Sequence, residues 1–108
     1  MNIPLPKPIA EYVEANAKLD LDGMLKPFAA DAVVTDIGHR YAGHDEVRNL
    51  LKEATTLKAV FVPDSVQHEG GQVVVAGPAH GDFKGSPIRF TYRFTLENES
   101  IRALEISA

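Results

Sequence analysis

Asp31-Ala-Val-Val-Thr-Asp36-Ile-Gly-His-Arg-Tyr-Ala-Gly43-His44 is the stretch on which the reading of this chain turns. Val33, Val34 and Ile37 favour a pleated, half-buried strand, and Gly38 and Gly43 bracket a connector able to turn sharply before a helix. Asp36 falls where the strand opens into that loop. A carboxylate there has two uses. It can close an Asx-type turn by accepting from nearby backbone N–H groups, as Asp commonly does beside Gly, or it can stand as a general base at the mouth of a pocket.

Upstream of this stretch the periodicity is helical. Pro8 suits a first helical turn, where its missing N–H costs nothing, and Ile9, Tyr12, Val13 and Leu19 follow on one face together with Asn16. An amphipathic Tyr on a core face can simply tuck its ring inward and send its hydroxyl to water or a carbonyl; a pocket would give Tyr12 and Asn16 something else to face. Asp20 is placed to N-cap a short second helix with the apolar stripe Leu21, Met24, Leu25 and Phe28, which Pro27 ends or kinks. Downstream of Gly43, Asp45 and Glu46 complement the dipole of a third helix, whose stripe is Val47, Leu50, Leu51 and Ala54.

From Lys58 onward the period changes to that of strands. Residues 59–68 form a run broken at Pro63, Gly70-Gly71 makes a tight hairpin into 72–80, and 82–87 is a turn. Over 88–96 the alternation is clean: Ile88, Phe90, Tyr92, Phe94 and Leu96 share one face, Arg89, Thr91, Arg93 and Thr95 the other. A final strand covers 100–106. Helices first and a strand meander afterwards predict one α+β domain over residues 1–108, a cone in which three N-terminal helices pack on one face of a strongly curved antiparallel sheet. The last strand carries Ile101 and Ala103 at one parity, Leu104 and Ile106 at the other. That two-sided apolar character predicts a homodimer through the sheet face away from the helices.

Composition narrows the function classes. The 108 residues are 44% hydrophobic and 24% charged, as in ordinary globular proteins. A formal charge of −4 without a basic run argues against nucleic acid and against an anionic membrane surface. The chain has no Cys, which excludes disulfides and thiol catalysis. Its first residues lack an apolar signal core and no run approaches a membrane span, so a cytoplasmic protein is expected. Gly70-Gly71 and Gly77 fit no phosphate-cradling pattern.

The run Leu19-Asp-Leu-Asp-Gly-Met-Leu-Lys-Pro-Phe-Ala-Ala-Asp-Ala-Val-Val-Thr-Asp36, followed by Tyr41-Ala-Gly43-His-Asp-Glu-Val47, resembles the nuclear-transport-factor-2-like superfamily, and within it the ketosteroid isomerase and SnoaL-type polyketide cyclase branch. The element order agrees over most of the chain, the motifs over its N-terminal half. In the isomerases a Tyr on the first helix donates to the substrate ketone and an Asp at the end of the first strand moves the proton; Tyr12 and Asp36 match these positions. The isomerases add a protonated Asp on a later strand as second oxyanion donor. By the pattern around Tyr92-Arg93-Phe94, Phe90 stands there instead, and half of the oxyanion hole is gone. The resemblance implies an isomerase- or cyclase-type enzyme moving a proton next to a carbonyl of a small apolar molecule, with no cofactor.

The remaining polar residues supply alternatives. Asn16 or His80 could provide the missing donor, and Phe90, Tyr92 and Phe94 with the helix stripes would line a mostly apolar cavity. His68 and His80, on neighbouring strands of one hairpin, could approach Asp36 to form a proton-moving His–Asp pair; solvent-facing histidines at strand ends are the commoner outcome. Asp36, His39 and His44 carry metal-ligand chemistry but no recognised spacing, so no metal is expected. Arg89 and Arg93 form a positive stripe that reads as a solvated or dimer-contacting face. Beside the enzyme stand two other classes: a non-catalytic pocket protein for a small apolar ligand, and a dimerising association module whose pocket is filled by its own side chains.

Overall fold

The computed structural model describes residues 3–108. Pro6 and Pro8 set the start of α1 (Lys7–Ala17), and Asp20 caps α2 (Leu21–Leu25) by accepting from the Gly23 N–H at 3.1 Å. β1 (Phe28–Asp36) and β2 (His39–Ala42) form a hairpin, after which the chain enters α3 (Gly43–Thr56). Then come β3 (Val60–Phe61), β4 (Ser65–Glu69), β5 (Gln72–His80), β6 (Ile88–Glu97) and β7 (Ser100–Ser107). The sheet order is β2-β1-β7-β6-β5-β3, with β4 also on β5. The sheet curls around the helices, and the three helices are N-terminal, as the period change near Lys58 predicts.

Two details depart from the expectation. The segment 39–42, read as part of a loop, is the short strand β2. The sheet is also mixed, because β1 pairs in parallel with β7 while the other pairs are antiparallel. α3 and the meander together form the long connection that a parallel pair requires.

The break at Pro63 is bridged by β5. Val62 N–H donates to the Pro78 carbonyl at 2.8 Å and Asp64 N–H to the Ala76 carbonyl at 2.9 Å. Between those contacts the backbone of 62–64 crosses so closely over Gly77 that a Cβ there would collide with the Val62 carbonyl oxygen and with Pro63 Cα. Gly77 is glycine because another backbone occupies the space of its side chain.

In β7 the pairing slips between Thr95↔Ala103 and Leu96↔Ile101. The extra residue, Arg102, makes a bulge that moves Ile101 to the same side as Leu104 and Ile106. All three are buried in the core with Phe94, Tyr12, Ile9 and Met24. The two parities of the last strand thus serve one face, and its apolar residues need no second copy to cover them. The outer face carries Arg89, Thr91, Arg93 and Thr95. Arg89 makes a two-pronged pair with Asp64, both bonds at 2.8 Å; Arg93 meets Glu69 at 3.3 Å and Arg102 meets Glu97 at 3.1 Å. Among the described residues no helix is long and apolar enough to cross a membrane.

Candidate functional site

The concave face of the sheet and the helices enclose a cavity of about 190 Å³. α1 contributes Tyr12 and Asn16, β1 contributes Phe28, Val34 and Asp36, and α3 contributes Leu50, Leu51, Glu53 and Ala54. Phe61, Phe90 and Tyr92 come from the strands. Phe83, in the 81–87 turn, closes one side, and the Asp82 N–H ties this turn to the end of α3 through the Leu57 carbonyl at 2.7 Å.

Tyr12 is buried in a cluster of rings, edge-on to Phe28 with centroids 5.8 Å apart. Tyr92 stacks on Phe61 at 4.0 Å with planes 11° apart, and its centroid lies 6.3 Å from that of Tyr12. The two phenols lie side by side and both line the cavity. Burial pushes the Tyr12 phenol up to about 12, the neighbouring Tyr92 hydroxyl pulls it down, and the Asp36 charge adds to the rise. Tyr92 is held well above the usual phenol range by burial first, then by Tyr12 and Asp36. Both phenols are therefore donors at neutral pH, not bases. A neutral Tyr12 hydroxyl lining the cavity can donate its proton to an acceptor placed there.

Asp36 is half-buried at the mouth. Loss of solvation raises its carboxyl above the usual range, the Glu53 charge raises it further, and His39, its partner across the hairpin, pulls the other way. The next residue, Ile37, turns the chain at φ +47° followed by Gly38 at +86°. A β-branched residue in the left-handed region is a local strain, and Ile37 is also exposed. This tight two-residue turn fixes the end of β1, and with it the carboxylate, at the rim.

The other sequence-derived residues separate. Phe90 and Tyr92 line the cavity. Asn16 also does, but its polar atoms are committed: Nδ2 donates to the Ala59 carbonyl at 2.9 Å and to Met24 Sδ at 3.9 Å, and Oδ1 accepts from the Phe61 N–H at 2.7 Å. Asn16 thus pins β3 to α1 and has no donor left for a ligand carbonyl. His80 and His68 are exposed and neither lines the cavity, which removes both from a pairing with Asp36. β5 has carried His80 to its outer end, beside Val60. His44 is turned to the Phe28 carbonyl at 2.8 Å, and among the described residues no group of three His, Asp or Glu forms a metal site.

Glu53 and Phe83 were not singled out from the sequence. For Glu53 a signal existed: continuing the α3 stripe from Leu50 by i+3, i+4 and i+7 gives Glu53, Ala54 and Leu57, all of which face the cavity. Phe83 sits in an irregular turn, where no periodicity points inward.

The SnoaL-like domain matches residues 9–104. The chain belongs to this SnoaL-like family. A protein of Sinorhizobium meliloti assigned to the polyketide cyclases is 32% identical, with 95% of each chain covered and a TM-score of 0.88. At 18% identity, TerC, co-crystallised with polyporic acid, aligns over 94% of this chain and 88% of its own with a TM-score of 0.79. A Catenulispora acidiphila protein with a ketosteroid isomerase-like fold, in complex with trimethylamine, is 14% identical over 97% of this chain and 87% of its own, with a TM-score of 0.79. The last two likenesses establish shared architecture only. No curated protein matches the chain.

Proposed function

We propose that this SnoaL-like chain is an isomerase- or cyclase-type enzyme that moves a proton next to a carbonyl of a small apolar substrate, with Asp36 as general base and Tyr12 as oxyanion donor. The observation that carries the reading is that Tyr12 and Asp36 open onto one apolar cavity. A partly desolvated carboxylate is a stronger base than one in water, and a neutral buried phenol can donate to an oxygen on which charge develops. Tyr92 supports Tyr12 from behind, and Phe90 contacts the apolar body of the substrate. Asn16 acts indirectly, holding the β3 wall in place. The 32% identical polyketide cyclase-class relative and the small molecules bound by the two distant ones agree with a ligand-binding cavity.

Phe90 favours a second reading, a non-catalytic binder of small apolar ligands, because a cavity with one oxyanion donor lacks a bond that is typically worth about 10²–10³ in rate. Asp36→Asn separates the two, since it keeps the shape and removes the base. Assayed on enolisable ketones and aldol-type polyketide substrates, the variant should lose about 10²-fold or more of turnover while ligand binding persists. An Asp36→Asn protein as active as the parent would assign Asp36 to the turn alone. Homodimerisation through the outer sheet face is a separate proposal that the last strand no longer supports, since its apolar residues face the core; sedimentation at micromolar concentration should show twice the 11.8 kDa chain mass, and a concentration-independent monomer would remove it.

A further inference from the structure

The cavity carries charge of only one sign. Of its eighteen lining residues, Asp36 and Glu53 are acidic, and among the described residues that line it there is no Lys, Arg or His. The basic group that acts on Asp36 is the exposed His39 across the hairpin, which is not part of the lining. The sheet arginines Arg89, Arg93 and Arg102 are spent on the outer face, against Asp64, Glu69 and Glu97. Glu53 comes from α3 and Asp36 from β1, so two elements that pack together bring two like charges to one rim with no cation between them.

Behind that rim the lining is aromatic. Tyr12, Phe28, Phe61, Phe83, Phe90 and Tyr92 supply six rings, and the stacked Phe61–Tyr92 pair forms one wall. Ring faces carry partial negative charge and attract cations, more strongly where water is excluded. An ammonium group at the mouth would relieve the repulsion between the two carboxylates and add attraction to the rings. A carboxylate ligand would meet the opposite: repulsion from both acids and no counter-charge.

We infer that the cavity selects cationic ligands, an alkyl- or arylammonium whose charged head sits between Asp36 and Glu53 and whose apolar body lies among the rings. The inference rests on the cavity being a small-molecule site, as proposed above, and not on Asp36 acting as a base.

Phenyltrimethylammonium, its uncharged isostere tert-butylbenzene and the anion benzenesulfonate test it by NMR titration of the intact protein at low ionic strength. The cation should bind about tenfold tighter than the isostere, the scale of a desolvated cation–π contact with counter-charge nearby, and the sulfonate should not bind. Glu53→Gln should weaken the cation several-fold and leave tert-butylbenzene unchanged, and added salt should weaken only the cation. Equal affinity for the cation and its isostere, or a cation preference that survives Glu53→Gln, overturns the inference while the small-molecule reading stands on the tert-butylbenzene result. Absence of binding by all three overturns both.

Discussion

Asp36 and Asp64 are the same side chain on opposite sides of one curved sheet, and their surroundings shift them in opposite directions. On the outer side Asp64 is exposed and holds Arg89 in a two-pronged bond, which lowers its carboxyl below the usual range. On the inner side Asp36 has lost part of its solvation and faces Glu53 in place of a cation, which raises it. Outside, acids are matched to arginines; inside, two acids are left unmatched around an apolar cavity. Charge pairing of the first kind is neutral housekeeping for a surface, whereas charge left unmatched beside a cavity is the arrangement that binding and proton transfer use.

The largest effect should come from the polar group that the inner side does satisfy. Asn16→Ala removes both bonds to Ala59 and Phe61 and leaves their backbone groups without partners, so urea unfolding should show a loss of about 2–4 kcal/mol. A loss below about 1 kcal/mol would mean that water replaces the amide. Gly77→Ala pushes a Cβ into the 62–64 backbone that crosses over β5; a loss of about 1–3 kcal/mol is expected, and a neutral result would show that the crossing can lift away.

Next in size is the pH dependence. The raised Asp36 carboxyl makes its ionised form unfavourable to the fold: the corresponding stability is full below the ordinary Asp value of 3.8 and is lost as pH rises through the folded value. Asp36→Asn should thus be more stable than the parent at neutral pH, with the gain vanishing in acid. Asp64 has the reverse sign. Its contribution is present above 3.8 and lost as pH falls through its lowered folded value. Thermal unfolding of the two variants against pH reads both signs, and parallel curves would erase the contrast between the faces. The smallest effect is Asp64→Asn at neutral pH, close to the scatter of a melting experiment and abolished by high salt, because exposed ion pairs contribute little. A large, salt-insensitive loss would show that the pair at the Pro63 break organises the β3–β4 crossing.

Much of the architecture was legible because it is local. Asp20 announces α2, Gly70-Gly71 the β4–β5 hairpin, and the alternation from Ile88 the strand β6. The parallel β1–β7 pair was not legible, since it joins residues some seventy positions apart and no periodicity reports a pairing partner. The bulge at Arg102 was hidden for a related reason: one inserted residue inverts the parity of every side chain after it, and a strand read by alternation alone then looks apolar on both faces. In the site, Tyr12, Asp36, Phe90 and Tyr92 could be named from type and position. Asn16 could be placed but not its role, because its two partners, Ala59 and Phe61, arrive from a strand more than forty residues away. His80 was drawn toward the site by its chemistry, but its neighbour Ala79 takes the inward position and alternation along β5 turns His80 away. Glu53 has the spacing of the α3 stripe, and only its charge kept it from being read as a lining residue.

The most direct measurement is the titration of the Asp36 carboxyl by carbon-detected NMR in the intact protein, alone and with Glu53→Gln. An unmatched pair at an apolar cavity predicts that Asp36 titrates above 3.8 and moves down when Glu53 loses its charge. An Asp36 that titrates at or below 3.8, unmoved by Glu53→Gln, would contradict the account.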